Sequence, residues 1–319
     1  MNSQNKLLVS HAPFWHIGTA VPARHYNTII AALPAILMGL SVFGVPALAV
    51  MSMSIASAIG WELIYTKIAK RPNTLGDGHA VMIGTIFGML LPATLPWWAV
   101  VTGTFVAIFI GKQIFGGIGS NPFNPAVLAL AIISISWKNH LDFDAQLVHF
   151  NFDFNAAHPL VALKAFGPEV VQGYSLTQLF LGQQVGGIGS TCGLALIIGG
   201  LYLIIRGFVR WEIPFAFILG LFITATLFHM AAPERFAGPM FHLLTGYTLI
   251  GAFFLATEDA TSPVYPLPML IYGAVGGIMT ILIRNIGAYP DGIIFAILLI
   301  NLINPLVDKI RPKAIGKVA

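Results

Sequence analysis

Gly116-Gly117-Ile118-Gly119-Ser120-Asn121-Pro122-Phe123-Asn124-Pro125 stands inside a long apolar region and is the least helix-like stretch within it. Two prolines without an N–H and three glycines without conformational restraint cannot sustain a helix. At membrane depth such backbone is tolerated only where protein or a water-filled cavity satisfies its polar groups, which would make it a broken helix or re-entrant turn beside a binding site. Alternatively it is a loop joining two spans, with Asn121 and Asn124 capping the next helix. Both readings assume a bilayer, and the composition agrees. Of 319 residues, 57% are hydrophobic and 9% charged, with mean hydropathy +0.83. Soluble domains carry charge on about a quarter of their residues. The 33 glycines and 20 prolines suit membrane helices, where small residues admit close backbones. A disordered tail or nucleic-acid module is excluded.

Outward from that stretch, the requirement of about 20 residues per span gives ten segments. Five fall at 28 to 44, 47 to 66, 79 to 95, 97 to 115 and 123 to 137. Five more fall at 190 to 206, 212 to 231, 240 to 256, 267 to 284 and 291 to 307. The chain thus divides into an N-terminal half, 1–137, a polar loop, 138–189, holding Asp142, Asp144, Asp153 and Glu169, and a C-terminal half, 190–319. Residues 1 to 27 lack the apolar core and cleavage site of a signal peptide, so the first span is expected to remain in the mature chain. With the N-terminus inside, 12 of the 16 basic residues face the cytoplasm, among them Lys6, Arg311, Lys313 and Lys317. The positive-inside rule then places both termini in the cytoplasm and loop 138–189 outside.

Ile83-Gly84-Thr85-Ile86-Phe87 recurs as Ile250-Gly251-Ala252-Phe253-Phe254, and Asn121-Pro122 has a counterpart in Tyr289-Pro290. With five spans per half the copies run in opposite directions, the inverted-repeat plan that places a pathway between repeats. The expected fold is an all-α integral membrane protein of ten transmembrane helices in two inverted five-helix repeats with broken or re-entrant segments. Ala288-Tyr289-Pro290-Asp291-Gly292 reads as a helix start with Asp291 either capping or binding a cation. Glu258 and Asp259 are either intramembrane acids, which default to function, or cytoplasmic loop residues. Glu62, near Lys67, is expected to snorkel or pair.

Several chemistries have no visible home. Cys192 is the single cysteine, so neither a disulfide within the chain nor an iron–sulfur cluster can form, and there is no CxxCH for a c-type haem. His229 and His242 flank one turn while His79 sits near the opposite face, which leaves no facing pair for b-type haem. There is no P-loop, dinucleotide fingerprint or HExxH, no dense carboxylate cluster for sodium, and hence no catalytic or metal site to nominate. Any redox chemistry must use another cofactor.

Three motif sets are jointly specific: Gly116-Gly117-Ile118-Gly119 with Asn121-Pro122-Phe123-Asn124-Pro125-Ala126; Phe241-His242-Leu243-Leu244 with Gly251-Ala252-Phe253-Phe254-Leu255-Ala256-Thr257; and Tyr289-Pro290-Asp291-Gly292 with Phe295-Ala296, Asn301, Pro305 and Asp308. Their order and spacing resemble the NqrB/RnfD family, from about residue 15 to the C-terminus. The resemblance implies a multi-pass subunit of the cytoplasmic (inner) membrane, in an Rnf-type ion-translocating complex that moves electrons between ferredoxin and NAD, coupled to Na+ or H+. It implies partner Rnf subunits, no nucleic acid, and an electron-transfer subunit without a complete active site of its own.

In that family an FMN is joined through its phosphate to a threonine of the extracytoplasmic loop, in a pattern similar to D-G-x-S-x-A-T-P-L. Here Val171-Gln172-Gly173-Tyr174-Ser175-Leu176-Thr177-Gln178-Leu179 occupies the place. Thr177 keeps the acceptor position, while the acid, serine, alanine and proline are replaced. The resemblance therefore implies covalent FMN at Thr177, installed by a flavin transferase. From residue type alone, Ser175 or Thr177 serves equally as a helix cap. Thr245-Gly246-Tyr247-Thr248 looks similar but falls on an expected span. A non-covalent flavin such as riboflavin is implied near Asn121, Asn124 and the 256 to 261 turn. The competing functions are a non-redox solute channel or transporter, and a scaffold member lacking covalent flavin.

Overall fold

The computed structural model describes residues 21–72, 74–148 and 150–310. Lys6, Arg311, Lys313, Lys317 and the leader reading of the N-terminus lie outside the described residues. Among the described residues the fold is entirely helical. In chain order the α-helices are α1 Val21–Ile68, α2 His79–Leu90, α3 Trp97–Phe105, α4 Pro125–Ser136, α5 Phe143–Gln146, α6 Pro159–Phe166, α7 Leu176–Leu181, α8 Gly193–Ile205, α9 Glu212–Ala231, α10 Pro239–Leu244, α11 Thr248–Ile250, α12 Pro266–Asn285 and α13 Ile293–Val307. α3 runs on as a π-helical stretch, Val106–Gln113, and α11 as another, Gly251–Leu255. Among the described residues three helices, α1, α9 and α12, are long and apolar enough to cross a membrane, and four more, α2, α4, α8 and α13, are shorter apolar helices.

The first two apolar segments form the two arms of α1. A straight helix of 48 residues would measure about 72 Å, more than twice the roughly 30 Å hydrocarbon core. Pro46 removes an N–H and crowds the preceding turn. The helix breaks two residues earlier, at Gly44, whose φ of 65° and ψ of −145° only glycine adopts without strain. The other segments each contain helix, although 79 to 95 is helical only to Leu90 and one segment is interrupted. Segment 240 to 256 is α10, a break at Thr245-Gly246-Tyr247, then α11 and its π-helical extension.

Small residues draw the helices together where water offers no hydrophobic drive. A Cβ on Gly84 would stand 2.9 Å from the Ser54 carbonyl oxygen across the α1–α2 seam. One on Gly273 would stand 2.6 Å from the Ile213 carbonyl oxygen across the α9–α12 seam. The second Gly-Gly-Ile-Gly run, residues 186 to 189, lies buried between α7 and α8 as non-helical backbone. Its polar groups are satisfied by the end of α2: Ile188 N–H donates to the Leu91 carbonyl at 3.0 Å and Gly189 N–H to that of Met89 at 2.8 Å. Gln184 Nε2 spans the same region, donating to the carbonyls of Leu179, Thr191 and Leu244. Backbone inside an apolar bundle needs such partners. The first run, by contrast, is largely exposed from Ile114 to Ser120 and becomes buried only at Asn121 and from Asn124 onward.

The loop between the halves is folded down by Lys164 of α6. Its ammonium donates to the carbonyls of Arg284 at 3.2 Å, Tyr289 at 3.1 Å and Gly287, closing the C-terminal end of α12. The turn before α12 belongs to the other end of the bundle. α12, at 20 residues about 30 Å long, therefore separates two groups of candidate site residues.

Candidate functional site

At the loop end, Tyr174 and Leu179 are buried and hold α7 in place, with Tyr174 Oη donating to the Ala157 carbonyl at 2.9 Å. Burial, with the nearby Asp144 carboxylate adding to it, pushes the Tyr174 phenol up to about 12. His158 N-caps α6, accepting from Val161 N–H at 3.4 Å, while its own N–H donates to Asp144 Oδ1 at 2.6 Å. Burial holds its imidazole below the usual histidine range. On this platform Thr177 is exposed, its Oγ1 2.7 Å from Ser175 Oγ. Ser175 occupies the N-cap position of α7, yet its side chain makes no capping bond. The Ser175 hydroxyl is turned to Thr177 instead.

Thr245 and Thr248 are fully buried. Thr248 Oγ1 donates to the His242 carbonyl at 2.8 Å and accepts from Arg284 Nη2 at 3.0 Å. This motif serves the helix break. Gly246 has φ 65°, and a Cβ there would run into Asp291 Oδ2. Asp291 accepts from Tyr247 N–H at 2.7 Å and from Ile293 N–H at 3.2 Å, and pairs with Arg284 at 2.9 Å. Its charge is thus balanced by Arg284 and by the start of α13, which settles its two readings in favour of capping.

At the other end lies a cleft of ≈ 380 Å³, within the range of about 300–1,000 Å³ typical of small-molecule sites. Arg24, His25, His79, Asn124, Phe254, Glu258 and Asp259 are among the side chains that line it. The His25 and His79 rings stack at 4.6 Å, and His25 Nδ1 lies 2.7 Å from the Asp77 carbonyl oxygen. Arg24 bonds the Thr257 carbonyl at 3.1 Å and pairs with Asp259. The broken stretch and the 256 to 261 turn, far apart in sequence, meet here. Asn121 Nδ2 donates to Glu258 Oε1 at 3.2 Å, and Asn124 Nδ2 to the Leu255 carbonyl at 3.0 Å. Asn124 Oδ1 also caps α4, accepting from Ala126 and Val127 N–H at 3.0 and 3.2 Å. So Asn124 performs the capping, while Asn121 reaches across to the other half. Thr177 belongs to the opposite end.

Glu62 does not snorkel or pair with Lys67. It is 1% exposed and bonded to Lys112 Nζ at 2.8 Å, Gln113 Nε2 at 2.8 Å and Thr74 Oγ1 at 2.5 Å. Lys112 and Gln113 both face Glu62 from the end of the π-helical stretch. The pairing crosses 50 residues and leaves no local sequence signal. His242 is buried with both ring nitrogens unpartnered among the described residues, and His229 Nδ1 lies 2.8 Å from the Phe236 carbonyl oxygen. Among the described residues no group of three or more His, Cys, Asp or Glu gathers to hold a metal ion.

These features define an all-helical protein with several apolar helices, an exposed hydroxyl on a folded loop at one end and a polar-lined cleft at the other. The chain belongs to the NQR2, RnfD, RnfE family, whose model matches residues 8–316. It is 37% identical to the D subunit of the Na(+)-translocating ferredoxin:NAD(+) oxidoreductase complex of Acetobacterium woodii, across 99% of this chain and 96% of that protein. It is 35% identical to the D subunit of the ion-translocating oxidoreductase complex of Pectobacterium carotovorum, across 97% and 98%. The D subunit of the proton-translocating ferredoxin:NAD(+) oxidoreductase complex of Clostridium ljungdahlii is 34% identical, across 96% and 95%. These relatives are subunits of oxidoreductase complexes, and two of them are named for different ions.

Proposed function

We propose that this chain is the D subunit of an Rnf-type ion-translocating ferredoxin:NAD oxidoreductase in the cytoplasmic membrane, assembled with the other Rnf subunits. It carries covalent FMN at Thr177, transferred by a flavin transferase, and a non-covalent flavin such as riboflavin in the cleft. Ten spans in two inverted halves, with both termini cytoplasmic, put Thr177 on the extracytoplasmic side and the cleft on the cytoplasmic side. The coupled ion is Na+ or H+.

The observation that carries this reading is the exposed Thr177 hydroxyl, held on a short helix whose flanking serine leaves the cap and faces it. A phosphoester requires an accessible hydroxyl and no helical bond that competes for it. When bound, a flavin supplies one- and two-electron transfer while the protein supplies position and electrostatics. On the loop side, Leu179 and Tyr174 fix the backbone that carries the attachment. On the cleft side, Asn124 anchors the rim through its backbone bonds, Phe254 supplies an apolar wall and Arg24 a positive one. The chain itself holds no substrate site for ferredoxin or nicotinamide in this reading, so those contacts fall to partners.

Peptide mass spectrometry on the chain from its native membrane tests the attachment. The peptide spanning Thr177 should carry the mass of FMN less one water, and Thr177→Ala should lose it. Unmodified peptide at full occupancy, with the transferase present, would overturn covalent attachment and leave the scaffold reading.

A further inference from the structure

Beside the cleft, three side-chain oxygens are shut off from solvent without a hydrogen-bond partner among the described residues: Asn121 Oδ1, Glu258 Oε2 and Thr261 Oγ1. Asn121 and Thr261 are 2% and 1% exposed. The orientation of the Asn121 amide is fixed, because its Nδ2 donates both to the Phe123 carbonyl at 3.1 Å and to Glu258 Oε1 at 3.2 Å. Reversing it would lose both bonds, so the orphan atom is an acceptor. Thr261 shares one turn with Glu258, closed by Ser262 N–H donating to the Glu258 carbonyl at 3.1 Å. The Thr261 hydroxyl stands beside the Glu258 carboxyl and the Tyr272 hydroxyl without reaching the geometry of a hydrogen bond to either. Buried polar atoms are rarely left unpaired in native proteins, and three in one place require an explanation.

Charge sharpens the point. Of the two adjacent acids, Asp259 forms the ion pair with Arg24, whose charge also acts on Glu258 from farther off, and no ion pair at contact distance is found for Glu258 among the described residues. An isolated buried carboxylate is unstable and must be neutralised or balanced. The turn follows the π-helical stretch Gly251–Leu255, and the C-terminal end of a helical segment carries partial negative charge. Broken membrane helices use such ends, with side-chain oxygens, to hold Na+. An oxygen-only set selects hard cations, and a single carboxylate balances a single positive charge. Glu258 also lines the cleft, which gives the ion a path in.

We propose that Asn121, Glu258 and Thr261 form a site for a dehydrated monovalent cation of the Na+ class, at the junction of the two halves. This deepens the ion-coupling part of the proposed function and rests on it for its meaning. The binding itself is an equilibrium property of these residues and requires no electron flow.

The test uses the whole complex, purified in detergent, titrated with NaCl against choline chloride at constant ionic strength while its thermal midpoint is read. Sodium and lithium should stabilise the complex saturably, and choline should not. Thr261→Val should raise the half-saturating concentration at least tenfold, Thr261→Ser should leave it within twofold, and Glu258→Gln should abolish the response of this site while the subunits still copurify. If Glu258→Gln fails to assemble, Thr261→Val against Thr261→Ser still decides. A sodium response equal in wild type and Thr261→Val would overturn the proposal, as would the absence of any difference between sodium and choline. In that event a water molecule or a proton on Glu258 satisfies the three oxygens. Failure here leaves the Thr177 adduct untouched, so the two readings fail separately.

Discussion

Replacing Lys112 with methionine removes a positive charge from a site where both partners are 1% exposed. The remaining Glu62 carboxylate would keep Thr74 Oγ1 and Gln113 Nε2 but lose its only ion-pair partner among the described residues. Stripping one member from a buried pair costs about 3–5 kcal/mol, because the survivor is left as an uncompensated charge. The two remaining hydrogen bonds place this case toward the lower bound, at about 3 kcal/mol. Removing both charges costs far less, since well-packed neutral residues often replace such a pair at no net loss. The Glu62→Gln/Lys112→Met double variant should therefore recover all but about 1 kcal/mol. The assay is a double-mutant cycle on the purified protein, with denaturant unfolding followed by tryptophan fluorescence. Lys112→Met alone within about 1 kcal/mol of wild type would refute the reasoning, as would a double variant whose loss equals the sum of the singles.

Gly246→Ala should lower folded yield sharply: a non-glycine residue at φ 65° costs about 1–2 kcal/mol, and its Cβ would displace Asp291 from Tyr247 N–H. Detergent size-exclusion profiles would show this, with Gly238→Ala, where nothing lies within reach of a Cβ, as the tolerant comparison. Tyr174 should make the loop sensitive to alkali. Its folded-state phenol lies at about 12 against the ordinary 10.0, so the native form holds its proton more tightly. The stability this contributes is fully present below pH 10 and is lost as pH rises through about 12. Limited proteolysis between residues 150 and 180 should accelerate over that interval in wild type, and Tyr174→Phe should remove that component of the acceleration.

The sequence made most of the helices legible because their signal is local. A run of apolar residues reads the same in any context, so each of the ten segments contains helix, while only α1, α9 and α12 among the described residues reach a membrane-crossing length. The family resemblance groups Asn121 and Asn124 with the 256 to 261 turn, and the two do lie in contact. What escaped were features set by distant partners. The two Gly-Gly-Ile-Gly runs are identical in residue type, yet only residues 186 to 189 find carbonyls at the end of α2 to receive their N–H groups. The break at Gly246 lies in a segment apolar enough to read as continuous, and its cause, Asp291, is 45 positions later. Glu62 has Lys67 within two turns, so local reasoning chose the wrong lysine. Gly44 hid for the opposite reason: two spans with a short gap look alike whether a loop or a kink joins them.

Tyr247 has a mechanical consequence. Its hydroxyl hangs from the Leu90 carbonyl at 2.7 Å in one half, while its amide is fastened to Asp291 at 2.7 Å in the other. Arg24 to Thr257, Asn27 to Tyr202 and Asn124 to Leu255 stitch the same halves together elsewhere. Alternating-access carriers work by tilting one bundle against its mate, and a tilt that parted these contacts would cost the hydrogen bonds they make. The chain is braced like a chassis: these bonds tie the segment before residue 138 to the segment after residue 189 at several separate points along the bundle.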